Sequence, residues 1–146
     1  RQVVIDVTAF PVEEGEDAWS AADAWEQFHQ GGYPASMLTI SSDGGGCLPI
    51  FDDNGEMVKM DFASSAGLPE TLQELISRGY GLDAVLPSMT CNVAGLLRLP
   101  GKGRIEAGAD ADLLCLDGSF SVRHVMAGGR WMVQDGVPLV QGTFEG

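Results

Sequence analysis

The sequence predicts an α/β fold followed by a small all-β part, and three observations carry that prediction. Two β-branched, apolar runs flank an amphipathic stretch in β-loop-α-loop-β order, which is the crossover unit of a parallel sheet. The second run opens into two hydroxyls, one carboxylate and three glycines, Ser41-Ser42-Asp43-Gly44-Gly45-Gly46. Beyond Leu99 the helical periodicity gives way to short strand-like runs punctuated by glycine. The division expected from this texture is residues 1–99 and residues 100–146.

In chain order, Val3 to Thr8 reads as a buried strand, and Phe10 to Asp17 as an acidic loop. Ser20 caps a helix reaching Gln30, with Ala21, Ala24, Trp25 and Phe28 on its apolar side and Gly31-Gly32 as its stop. Met37 to Ile40 is the next strand. Leu48 to Met60 reads as a hairpin around Asp52-Asp53-Asn54-Gly55, whose acidic side chains lack the alternating spacing of a calcium loop. Helices are expected over Leu68 to Arg78, Leu82 to Leu86, and Ser88 to Leu97, the last packing Val93, Ala94, Leu96 and Leu97 inward. Strands are expected over Leu113 to Asp117, Val122 to Met126, Arg130 to Val133 and Val137 to Val140.

The totals narrow the function. The 146 residues can bury a core, and 45% hydrophobic with 20% charged content marks a globular chain. Eight Lys and Arg against 21 Asp and Glu leave a net charge of -13, which argues against nucleic acid or an anionic membrane as partner. No apolar segment approaches the ~20 residues that span a bilayer. Cys47, Cys91 and Cys115 are odd in number and form no disulfide or metal-finger pattern, so reduced, mostly buried thiols in a cytoplasmic protein are expected. The start has neither a basic n-region nor a long apolar run, and it reads as a piece beginning mid-fold.

Asp43 is the candidate working group, because parallel α/β folds place chemistry at strand exits. It could ligate a metal or shuttle a proton, with Ser41 and Ser42 orienting it. A lone Asp before glycines is, even so, more often a turn residue. Cys47 has no local histidine to activate it as a nucleophile. His29, at a helix end, and His124, in a hairpin, fit surface or packing roles.

Three stretches together resemble one family. Leu38-Thr39-Ile40-Ser41-Ser42-Asp43-Gly44 with Phe51-Asp52-Asp53 resembles the last barrel strand and following loop of isoaspartyl (β-aspartyl) dipeptidases, of the amidohydrolase superfamily. Thr90 to Leu97 resembles their next helix. Gly101-Lys102-Gly103-Arg104-Ile105 with Gly108-Ala109-Asp110-Ala111-Asp112-Leu113-Leu114 resembles the superfamily's return into its small β domain, and Gly136, Val140 and Gly142-Thr143-Phe144-Glu145 resemble the dipeptidase terminus.

The resemblance implies the last two strand-helix units of a TIM-type (β/α)₈ metal-dependent hydrolase barrel, followed by a small β-sandwich domain. It implies a binuclear zinc site held by histidines and a carboxylated lysine. Asp43 matches the metal-binding aspartate that takes a proton from the bridging hydroxide and passes it to the leaving amine. Cys47 stands where the family has a substrate-contacting serine. The His-x-His strand, the bridging lysine, the remaining metal histidines and the substrate-gripping arginine and tyrosine would lie upstream of Arg1. The expectation is therefore the C-terminal portion of a zinc-dependent hydrolase of isoaspartyl dipeptides, inactive alone, with homo-oligomers favoured by strand edges left open. Two alternatives stand beside it: a non-catalytic association module, and a portion of another amidohydrolase such as a dihydroorotase-like enzyme.

Overall fold

The computed structural model describes residues 3–12 and 17–141, so half of the acidic loop and the expected terminal motif at 142–145 lie outside the described residues. The chain divides into two compact units, Arg1–Met89 and Thr90–Gly146, a division that falls ahead of the expected boundary at Leu99.

In the first unit, β1 (Ile5–Thr8) and β2 (Leu38–Ser41) pair in parallel, with Ile5 opposite Leu38 and Thr8 opposite Ser41. Helix α1 (Ala21–Gln30) connects them, as the β-α-β order predicts. Ser20 is its N-cap: its Oγ accepts the Asp23 N–H at 3.1 Å and donates to the Asp23 carboxylate at 2.8 Å. The buried face is Ala21, Ala22 and Trp25, so Ala22 takes the place expected of Ala24. Phe28 is half-buried and stacks at a tilt on Tyr33. After Pro34 the backbone makes a short 3₁₀ turn, Ala35–Met37, and β2 therefore begins one residue later than expected. Leu38, Thr39 and Ile40 are all buried.

A two-stranded antiparallel hairpin follows, β3 (Cys47–Phe51) and β4 (Met57–Phe62). Its turn is organised by Asp52, whose Oδ1 accepts the N–H groups of Asn54 and Glu56, both at 2.9 Å. Those two N–H donors, the Glu56 one first, hold the Asp52 carboxyl below the usual carboxylate range. The hairpin's apolar residues point largely into solvent: Phe51, Met57, Val58, Met60 and Phe62 are all exposed.

Helix α2 (Gly67–Ser77) buries Thr71, Leu72 and Leu75 and packs on α1 and on α3 (Leu82–Val85). The Arg78 guanidinium closes this helix pair, reaching Asp23 at 2.8 Å and Glu26 at 2.9 Å on α1 as well as Glu74 on α2. Tyr80 joins the same seam, donating to Glu26 at 2.8 Å and meeting Trp25 edge-on. The Ser20 hydroxyl, and after it Arg78, hold the Asp23 carboxyl below its ordinary 3.8. A carboxyl depressed on folding contributes stability that is present above its unfolded value and is lost as the pH falls through the folded one. Asp23→Asn should therefore flatten the acid limb below about pH 4, read as the denaturation midpoint between pH 5 and 2; an unchanged limb would rule this contribution out.

The expected helices over Leu82 to Leu86 and Ser88 to Leu97 come out differently. Leu86–Met89 is a 3₁₀ turn, because Pro87 has no N–H to continue the α ladder and the buried Ser88 Oγ donates back to the Val85 carbonyl at 2.7 Å. Thr90, with φ -131° and ψ -93°, breaks the chain direction before α4 (Cys91–Leu96) starts the second unit. On α4 only Ala94 is buried; Leu96 and Leu97, expected inside, are 49% and 60% exposed among the described residues.

The rest of the second unit is a four-stranded antiparallel meander: β5 (Leu113–Leu116), β6 (Val122–Ala127), β7 (Arg130–Gln134) and β8 (Val137–Pro138). Strand β8 is shorter than the expected Val137 to Val140. Asp112 anchors the sheet's start, accepting the Gly128 N–H at 2.7 Å while pairing with Lys102. The strand residues are half-buried or exposed throughout, so the single sheet carries little core of its own.

Candidate functional site

The site is built where β2 ends. Asp43 lies two residues past the strand, with φ 48°, a left-handed backbone that aspartate tolerates better than most residues. Its carbonyl accepts the Gly46 N–H at 2.7 Å, closing a tight turn. The loop is then tied to the hairpin by Gly45 N–H to Ala63 O and Ala63 N–H to Gly46 O, both 2.9 Å. Gly46 is required by space: a Cβ there would sit 2.6 Å from Asp43 Oδ2 and 2.8 Å from its carbonyl oxygen. The carboxylate therefore lies folded over the Gly46 backbone, exposed, with no hydrogen bond or ion pair among the described residues. A carboxylate fixed by its backbone and left unpartnered is available to a metal or a proton.

The serines do not serve Asp43 as expected. Ser41 Oγ donates to Asp6 Oδ2 at 2.7 Å, and Ser42 Oγ accepts the Gly44 N–H at 3.2 Å. Asp6, which the sequence did not single out, also accepts from Thr39 Oγ1 at 2.6 Å. Asp6, Thr39 and Ser41 thus make one polar face on the paired strands, bridging β1 to β2 just before the Asp43 turn. The signal was the register: once Asp6 pairs with Thr39, period-2 alternation puts Ser41 on the same side.

Cys47 opens β3, four residues beyond Asp43, and is exposed. Cys115 is exposed too and Cys91 half-buried, which corrects the expectation of mostly buried thiols. None of the three forms a disulfide among the described residues.

The histidines pack, as expected. His29 stacks on Trp25 with ring centres 4.8 Å apart and meets Tyr80 edge-on. His124 Nδ1 accepts the Asp135 N–H at 3.2 Å, and its ring lies 5.8 Å from that of Trp131. Among the described residues no three His, Cys, Asp or Glu side chains gather as a metal site. A zinc site takes three or more protein ligands, so the residues present do not fit zinc on their own. No helix among the described residues is long and apolar enough to cross a membrane.

No family model matches the chain. A crystal structure of β-aspartyl dipeptidase from Fervidobacterium islandicum AW-1, in complex with β-Asp-Leu dipeptide, is 34% identical. It superposes with a TM-score of 0.79 over 97% of this chain and 36% of its own. A second structure of that organism's enzyme is 27% identical with a TM-score of 0.74, over 97% of this chain and 34% of its own. N-acetylglucosamine-6-phosphate deacetylase from Thermotoga maritima shares the fold at 16% identity and a TM-score of 0.61, over 88% of this chain and 38% of its own. Among curated proteins, adenine deaminase 2 of Agrobacterium fabrum is 33% identical over 82 residues, 55% of this chain and 14% of its own. These relatives are hydrolases by name, and this chain spans about a third of the dipeptidase structures it matches. The chain is thus similar, along nearly its whole length, to a portion of the β-aspartyl dipeptidases of the amidohydrolase superfamily.

Proposed function

We propose that this chain is the C-terminal portion of a zinc-dependent β-aspartyl dipeptidase, hydrolysing the isopeptide bond of isoaspartyl dipeptides. The observation that carries the reading is the unpartnered Asp43 carboxylate at the C-terminal exit of a parallel strand, in a chain similar to a dipeptidase over 97% of its length. In this reading Asp43 is the catalytic carboxylate, ligating metal and holding the proton in transit. Gly46 lets it fold into place. Cys47 lines the substrate's approach, with a thiol that is a weaker hydrogen-bond partner than a hydroxyl. Asp43 is one metal ligand in this reading, and the others would come from the rest of a longer protein. The β1–β2 pair and the helices on it are the last two units of the barrel, and the β5–β8 sheet contributes to the small β-sandwich domain. A cytoplasmic location and self-association complete the proposal.

The test has two arms. With zinc added, this chain should hydrolyse an isoaspartyl dipeptide no faster than a blank; turnover would overthrow dependence on outside ligands. In the protein encoded by the complete gene, Asp43→Asn should lower kcat by at least ~10²-fold, the scale of a lost acid-base group. Full activity in that variant would remove Asp43 from the chemistry.

A second reading, a non-catalytic association module, is favoured by the exposed apolar residues of the β3–β4 hairpin, Phe51, Val58 and Phe62 among them. It predicts concentration-dependent self-association of this chain that Phe62→Ser weakens, measured by sedimentation, together with no hydrolysis by the complete gene product.

A further inference from the structure

The strongest local concentration of positive charge lies far in sequence from Asp43. Three of the chain's eight Lys and Arg residues, Arg98, Lys102 and Arg104, fall within seven positions of an otherwise strongly acidic sequence. All three line one cavity of about 510 Å³ in the second unit, between the C-terminal end of α4 and the loop that follows. Lys102 is already neutralised, pairing with Asp110 at 2.9 Å and with Asp112. Arg98 and Arg104 are different. Neither guanidinium makes a hydrogen bond or ion pair among the described residues, and Glu106, the one carboxylate lining the cavity, pairs with neither.

The backbone at Arg98 adds an independent observation. Helix α4 closes with Leu99 N–H bonded to Ala94 O at 2.8 Å and Arg98 N–H to Gly95 O at 3.3 Å, a Schellman motif. The residue between cap and tail in that motif adopts a left-handed conformation, here φ 55°, and glycine is strongly preferred there. The same loop uses glycine at its other three left-handed positions, Gly101, Gly103 and Gly108. At residue 98 it instead carries a strained arginine whose side chain lines a cavity and has no partner. Strain kept at a charged cavity residue points to a role for the side chain.

We propose that this cavity binds a small multivalent oxyanion, a phosphate or a dicarboxylate, on the guanidinium groups of Arg98 and Arg104. Guanidinium presents a planar fork of donors that matches either oxyanion bidentately. The net charge of -13 repels anions at long range, but at physiological ionic strength that field is screened beyond ~8 Å. Arg98 and Arg104 are both exposed at the cavity, where their two unpaired cations face a single lining carboxylate, Glu106.

The experiment titrates the full chain with inorganic phosphate and, separately, with succinate, by calorimetry at constant ionic strength. The same titrations are run on Arg98→Gly and Arg104→Gln. Saturable binding of one or both anions is expected, at least tenfold weaker in each variant. The tighter of the two probes tells a phosphorylated ligand from a dicarboxylic one. Arg98→Gly relieves the left-handed strain, so without anion it should unfold at the same or a higher temperature, which separates lost binding from lost folding. No saturable binding of either anion, or a loss confined to one variant, would overturn the site.

Discussion

Leu75→Ala should destabilise the first unit by about 2–5 kcal/mol, the range for emptying a buried leucine site. Leu75 is 0% exposed on α2, the helix that packs on both α1 and α3, so no single neighbour can collapse into the space. For a unit of this size each kcal/mol shifts the midpoint by roughly 4–8 °C, so the loss is large in any thermal scan. Leu75→Met, which conserves volume, should cost less than about 1.5 kcal/mol. Equal losses for the two would mean that Leu75 is not the packed centre of this unit.

Gly67→Ala should also destabilise, reversing the usual sign. In most helices that change stabilises by about 0.4–1 kcal/mol, through the entropy of the unfolded chain. At the first residue of α2, however, the new Cβ would sit 2.3 Å from the Ala9 carbonyl oxygen. Ala9 is buried, and its N–H is held by Ser41 O at 2.7 Å, so the carbonyl cannot step aside without disturbing the β1–β2 exit. An overpacking cost of about 1–3 kcal/mol is expected, and the Asp43 turn should shift with it. Gly95 is the internal control. It also lies in a helix, but a Cβ there meets nothing within 4 Å, so Gly95→Ala should stabilise. Urea midpoints of the two variants, moving in opposite directions, would settle the point; a stabilised Gly67→Ala would contradict the close approach.

Local chemistry made much of this fold legible in the sequence. Ser20 announced α1, Asp52 through Gly55 announced the hairpin, and the run ending at Ser41 announced the strand whose exit holds Asp43. What escaped depends on tertiary geometry. Period-3.6 patterning put Leu96 and Leu97 inside, but burial requires a covering surface, and the described residues provide none. Ser41 looked like a neighbour for Asp43 because the two are close in sequence; the parallel register instead hands its hydroxyl to Asp6. The space over Gly46, the clash awaiting a side chain at Gly67 and the left-handed turn at Arg98 are distances and angles, and composition does not encode them.

Trp25 is 3% exposed, pressed between His29 and Tyr80 in the first unit, whereas Trp131 of the second unit is 38% exposed beside His124. The chain thereby carries a separate fluorophore for each unit. With the exposed Trp19 replaced by phenylalanine, the Trp25 emission should move to longer wavelength only as the α1–α2 seam opens. The Trp131 signal, already half wet, should change mainly in intensity. Two transitions at different denaturant concentrations would report that the units melt independently, and one shared transition that they fold as a single cooperative body.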